Sequence, residues 1–252
     1  MHPGCAGRGR RGGFHKPGMP AVTNSRLSRQ GDVRPRGSML PFDTVTWPVT
    51  RSFGLGNVVP PMPSNFMEVL ETRSSERHLS RAPLREVANL LLVAAAARHA
   101  WGVSPRRSLR PSHSAGAIHP LSVLVVRSGP KPRILRLDPF AARIEFLRPE
   151  RPKRLVDLVD AASRIVPSAA ADILVLAADP AVPNAIYEEA VSLVWRDAGA
   201  LMQTIHLCAT AFRLGLCPMG ILGHEALEAV FGDSTALFAA GSAVVGRPIT
   251  HP

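Results

Sequence analysis

The chain has 252 residues, 46% of them apolar, and a formal net charge of +11. That is enough apolar material for a sizeable core, and the longest apolar run, Leu90–Ala97, is too short to cross a bilayer. The charge is uneven: eight Arg/Lys against one Asp leave +7 in residues 1–40 and about +4 in the remaining 212.

A basic tail can bind nucleic acid or a membrane surface, but only three of the basic residues are lysines against 27 arginines. Such a bias follows overall composition, so neither a nucleic acid nor a membrane is an expected partner. Cys5, Cys208 and Cys217 form no even framework and no C-x-x-C pair, which points to a reducing, cytoplasmic setting without structural zinc. The N-terminus has no apolar stretch of the secretory kind.

Residues 1–60 are dominated by Gly, Pro, Arg and Ser and read as an irregular basic leader. The folded domain is expected from 61 to 252. Asn65 followed by Glu68 has the spacing of a capping box and predicts a short helix to about Thr72, with Phe66, Val69 and Leu70 as its apolar face. Next comes Arg73-Ser74-Ser75-Glu76-Arg77. Two guanidiniums and two hydroxyls so close together can cradle a phosphate; a solvated helix end is the plain alternative. Pro83 opens a second helix, with Leu84, Val87, Leu91 and Ala94 as a core stripe and an end expected at Arg98–Gly102.

Small and polar residues crowd the stretch Arg110–Pro120. Gly116 has no Cβ, and Ser114, Ala115 and Ala117 have little more, so the backbone can approach a flat ligand closely. Arg110, Ser112 and Ser114 supply donors. The run Leu121–Val126 reads as a buried strand, which places this loop at the mouth of a sheet. Ile134–Leu137 and Ile144–Leu147 read as a hairpin, Leu155–Ile165 as a helix and Asp172–Ala178 as a second buried strand. From Ala185 to Leu214 the pattern is helical throughout, and apolar around so much of its surface that a central position is expected. Gly215 closes it, Leu216–Ile221 follows as an extended loop, and a last helix, His224–Phe231, precedes the apolar segment Leu237–Val245.

Five features in this order resemble the nitroreductase-like flavoprotein family. They are Arg73-Ser-Ser-x-Arg77, the run Pro111 to Pro120 with its strand, Asp197-Ala-Gly199 in the long helix, Gly215-Leu-Cys-Pro-Met-Gly220, and Val245-Gly-Arg-Pro248. The resemblance is to the SagB-type (McbC-like) dehydrogenases and covers about residues 66–249. It implies an α+β fold, a central mixed or antiparallel sheet flanked by helices, an intertwined homodimer, and FMN as cofactor at the dimer interface. Carried over residue by residue, it implies that Arg73, Ser74, Ser75 and Arg77 grip the flavin phosphate and ribityl chain. Ser112, Ala115 and Gly116 would lie against the flavin, Pro218, Met219 and Gly220 would face the ring's reactive edge, and Arg247 would return to the phosphate. Ser74 stands where the family often has a second arginine.

Such dehydrogenases oxidise thiazolines or oxazolines of a modified peptide to the azoles, alongside a cyclodehydratase partner. Many carry a Lys-Tyr pair before the long helix, where this chain has Ile186-Tyr187. Tyr187, with His119, is the candidate catalytic group; a hydrogen-bonded structural role is the alternative for His119. No metal site is expected from His113 and His119. Two further readings stand beside this one: a nitroreductase or quinone reductase drawing on NAD(P)H, and a flavin-fold scaffold without catalysis.

Overall fold

The computed structural model describes residues 32–249 except 55, 57–64, 168–169 and 234. In chain order its elements are β1 (Arg34–Pro35), β2 (Val49–Gly54), α1 (Phe66–Thr72), β3 (Leu79–Ser80), α2 (Leu84–Ala95), β4 (His99–Trp101) and β5 (Arg107–Leu109). Then come β6 (Leu121–Arg127), β7 (Arg133–Asp138), β8 (Arg143–Leu147), α3 (Pro152–Ile165), β9 (Asp172–Ala178), α4 (Ala181–Ile186) and β10 (Tyr187–Glu188). The chain ends with α5 (Val191–Ala211), β11 (Gly215–Met219), α6 (His224–Phe231) and β12 (Phe238–Pro248).

The central sheet runs β11-β12-β9-β6-β7-β8-β2, with β3 on the far end of β12. Its named strand pairs are antiparallel, and one isolated parallel bridge joins Ser75 to Leu216. Alternate residues of each strand point to opposite faces. Val123, Val125, Leu174, Leu176 and Val245 face a core built with α2 and α5. Leu124, Val126, Ile173, Val175 and Ala239 face a second core built with α3 and α6. Burial on both faces explains why β6 and β9 are continuous apolar runs rather than alternating ones. This is the expected α+β architecture, an antiparallel sheet flanked by helices.

Several expectations need correction. Residues 34–54, assigned to the leader, carry two strands: β2 pairs with β8 and tilts Phe53 against Phe146 at 6.0 Å. The signal was weak because Phe53 is the one residue of β2 that is not fully exposed. The helix at Asn65 forms and ends at Thr72, with Asn65 capping the Met67 amide. Of its expected apolar face only Val69 is buried, and Phe66 and Leu70 lie exposed. α2 stops at Ala95, because the next amides go elsewhere: Ala97 donates to Pro139 and Arg98 to Leu109. His99–Trp101 is therefore a strand, paired with Arg107–Leu109.

The stretch 185–214 is not one helix. Tyr187 and Glu188 pair with Pro35 and Arg34, and Glu189 turns at φ 54° before α5 begins. A helical period cannot register a strand partner 152 positions away in sequence, as Pro35 is from Tyr187. Leu216 to Met219 is an edge strand rather than a loop; an edge tolerates Pro218, whose missing N–H breaks no ladder on the open side. α5 packs on the sheet with Val194, Ala198, Leu201, Ile205 and Ala209, but Val191, Trp195 and Gly199 form an exposed stripe.

Two buried features set expectations for stability. Gly246 lets β12 press on β3: a Cβ there would strike the Ser80 carbonyl and lie 3.3 Å from Ala171. Gly246→Ala is expected to cost ~1–3 kcal/mol, read as a lower urea midpoint. Asp172 is fully buried, and its carboxylate oxygens accept no hydrogen bond among the described residues. Burial pushes its pKa up to about 6 against the opposing pull of Arg127, Arg81 and Arg133. The folded state thus holds this proton more tightly than the unfolded one. Its contribution to stability is full below about pH 3.8 and is lost as pH rises through about 6. Asp172→Asn is expected to flatten that part of the decline in urea midpoint between these two pH values.

Candidate functional site

The small-residue loop is tied to α5. Ser114 Oγ donates to Asp197 Oδ2 at 2.5 Å and accepts from the His119 amide at 2.9 Å. Asp197 also accepts from the Ala115 amide. Asp197 is nearly buried, and that burial holds its carboxyl above the usual range. Between Ser114 and Ile118 the loop makes one 3-10 turn, with Gly116 at φ 60° and Ala117 at φ 57°. Gly116 is required twice: its conformation is left-handed, and a Cβ would lie 2.7 Å from the Tyr187 hydroxyl and 2.9 Å from Arg107 Nη1. Arg107 also donates to the Gly116 carbonyl. Tyr187 and Arg107 therefore converge on one backbone point, and the two groups are at most 5.6 Å apart, the sum of those two distances.

Arg107 escaped the sequence reading. It reaches Gly116 only because β5 pairs with β4 and returns the chain across the loop, and no spacing rule marks it. Ser112 is buried and lines a small polar cavity with Arg110, His113, His119, Asp197 and Leu201. The His119 ring meets the Ser108 carbonyl at 2.9 Å, so Nε2 carries the proton and donates. Burial and the nearby Arg110 lower its pKa to about 4, leaving a neutral ring at pH 7. This bond gives His119 a structural partner, and Tyr187 alone is kept in the catalytic position below.

The second group of candidate residues sits elsewhere. The linker 73–77 is pinned by His206, whose Nε2 meets the Ser74 carbonyl at 3.0 Å, and by the Glu76 amide donating to Leu216 at 3.1 Å. Arg73 is half-buried and Arg77 exposed, and neither forms an ion pair among the described residues. Arg247 lies beside this linker, with its backbone paired to Ser80. Its guanidinium, however, grips both carboxylate oxygens of Glu86, with Nε at 3.1 Å from Oε2. Arg247 thus pairs with α2 in this structure. Pro218 and Met219 line an open cleft of 260 Å³ with Trp195, Gly199, Met202 and Gly241. A Cβ on Gly199 or Gly220 would meet nothing within 4 Å.

Helical geometry relates the two groups. At 3.6 residues per turn, His206 projects close to the direction of Trp195 and Met202, whereas Asp197 projects to the opposite side of α5. The linker 73–77 and the 218–219 cleft therefore share one face of the helix, and the Gly116 loop with Tyr187 occupies the other. Two cations without ion-pair partners beside an open cleft of small and apolar residues fit an anionic, flat cofactor such as FMN. Cys217 is buried, and desolvation raises its thiol and that of Cys208, so neither is an activated nucleophile. No cluster of metal-ligating side chains occurs among the described residues, and no helix there is long and apolar enough to cross a membrane.

Asp197→Ala is expected to leave the Ser114 hydroxyl proton and the Ala115 amide without an acceptor. It should lower the urea midpoint by the equivalent of ~1–3 kcal/mol and speed hydrogen exchange at the Ala115–His119 amides.

The model of the nitroreductase family matches residues 70–246. A solved structure from Ralstonia eutropha JMP134, described as a nitroreductase, superposes with a TM-score of 0.52 at 18% identity, covering 87% of this chain and 100% of that one. Another from Anabaena variabilis ATCC 29413 gives 0.56 at 15% identity, over 79% of this chain and 42% of that one. A third, from Desulfovibrio desulfuricans and solved in complex with FMN, gives 0.46 at 18% identity, over 75% of this chain and 89% of that one. The comparison with curated proteins gives no match. At these identities the first two superpositions speak for the fold alone, and the family rests on the match over residues 70–246: the chain belongs to the nitroreductase family.

Proposed function

We propose that this chain is an FMN-dependent oxidoreductase whose substrate-side group is Tyr187. The observation that carries the reading is the convergence of the Tyr187 hydroxyl and the Arg107 guanidinium on Gly116. A phenol and a cation, held by a loop with almost no side-chain bulk, suit proton handling next to a flat ring. In this reading Arg73, Ser75 and Arg77 hold the phosphate and ribityl hydroxyls, and the cleft at Pro218 and Met219, with Gly220 at its rim, takes one face of the ring. Arg247 is left out of that set because of Glu86, and Ser74 contributes its backbone to His206. The loop group faces away from this cleft across α5. A homodimer is therefore proposed, in which the loop of a second copy, with Ser112, Ala115 and Gly116, covers the cleft. The exposed stripe of Val191, Trp195 and Gly199 and the exposed Phe66 and Met67 suit such an interface.

The finer reading is oxidation of an azoline ring to an azole in a ribosomal peptide product, beside a cyclodehydratase partner. Forming the second ring double bond removes a hydride from one ring atom and a proton from another. When bound, the flavin supplies the acceptor for the hydride. Tyr187 orients the ring and relays its proton to solvent, the hydroxyl giving up one proton as it takes the other, and the Arg107 guanidinium lies at most 5.6 Å from it. Arg107 thereby offers the cation that Ile186 does not. Ile186 also favours a second reading, a nitroreductase or quinone reductase fed by NAD(P)H. There Tyr187 would position the acceptor without taking a proton.

Purified protein is expected to show flavin absorption, with FMN released on heating. Tyr187→Phe should keep the flavin and lose most azoline turnover, roughly 10²-fold or more. Bleaching of the flavin by NAD(P)H alone would select the second reading, and a colourless protein that takes up no FMN would overturn both.

A further inference from the structure

We infer that the β4–β5 hairpin is the docking surface for the substrate peptide, and that it selects acidic segments carrying apolar side chains. The inference rests on the reading above, and extends it from the reacting ring to the chain around that ring.

The register of the hairpin decides which side chains travel together. His99 lies opposite Leu109, Ala100 opposite Ser108, and Trp101 opposite Arg107. Cross-strand partners share a face. One face therefore carries His99, Trp101, Leu109 and Arg107, and the other carries Ala100 and the buried Ser108. The first face ends at the candidate site, because Arg107 reaches the Gly116 carbonyl beside Tyr187. It is also open: Trp101 is 41% and Leu109 56% exposed, and Val103 at the tip is 94% exposed. The His99 and Trp101 rings stack at 5.8 Å, which forms a flat apolar platform rather than two loose side chains. Platforms of this kind, leading without a break to a reacting group, give an extended peptide something to lie on.

Charge names the occupant. No Asp or Glu occurs from residue 87 to residue 137. Within that span the hairpin and its flanks carry Arg98, Arg106, Arg107 and Arg110, and none of the four forms an ion pair among the described residues. Arg106 and Arg110 lie over the Phe140 ring at 4.1 and 5.3 Å, an arrangement that fixes the guanidiniums without neutralising them. The carboxylate that acts on Arg110 is Asp138, which is already taken by Arg143 at 3.2 Å and by the Phe140 and Ala141 amides. A set of fixed, unneutralised cations around an exposed aromatic platform is complementary to a peptide with carboxylates flanking apolar residues.

The test is fluorescence anisotropy on the flavin-loaded full chain, with a fluorescein-labelled peptide of Glu-Phe-Gly repeats and its Lys-Phe-Gly counterpart. The acidic probe is expected to bind, more weakly as salt rises, and the basic probe not to bind. Arg106→Glu and Trp101→Ser, both at exposed positions, should each weaken the acidic probe tenfold or more while the flavin spectrum stays unchanged. Equal binding of both probes, or wild-type affinity in both variants, overturns the proposal. So does a change of oligomeric state by sedimentation in Trp101→Ser, since the face would then be covered by a second copy. Flavin retained with no peptide bound counts against the hairpin alone. Peptide bound by a chain that takes up no flavin counts against the flavoenzyme reading alone.

Discussion

The arrangement depends on α5 lying along one face of an antiparallel sheet. Val194, Ala198, Leu201, Ile205 and Ala209 seat it against the strands, and its polar residues are then forced to find partners on its flanks. Two of them, Asp197 and His206, are buried and cannot stay unpaired cheaply. Asp197 captures Ser114 and Ala115, and His206 captures the Ser74 carbonyl. One helix thus anchors both candidate segments, and its periodicity places them on opposite sides. A site that needs both segments must be completed across a chain boundary, which is why the homodimer belongs to the functional proposal rather than beside it.

The charge of the folded part is handled in three ways. Glu145 is buried between Arg136 and Arg143 and accepts from both, so this carboxylate is desolvated but fully bonded. Arg81 and Arg127 donate to backbone carbonyls near the buried Asp172. Around β4 and β5 no carboxylate pairs with the cations among the described residues: Arg106 and Arg110 rest on Phe140 and Arg107 donates to the Gly116 carbonyl. The contrast separates arginines paired with carboxylates or set beside one from arginines without a carboxylate partner, although the sequence shows only a general excess of them.

Much of the fold was legible. β6, β9, α3 and α6 stand where hydrophobic pattern and helix-start signals put them, because each buries its own contiguous apolar residues. The elements that went unread are the ones defined by a remote partner. β2 is almost wholly exposed and exists through β8, β10 exists through β1, and β4 exists through β5. In the same way Arg107 was invisible, whereas the loop it reaches was evident from its small residues.

By itself the sequence determined the family, the layered order of strands and helices, and the position of the small-residue loop around Gly116. These are written in residues adjacent in the chain, where side-chain volume and period act locally. Only the tertiary structure decided that Arg247 belongs to Glu86, that the His119 ring is spent on Ser108, and that Tyr187 meets Arg107 at Gly116. Each of these is a contest among partners far apart in sequence, and it is settled by which groups the packed sheet and helices bring within hydrogen-bond reach.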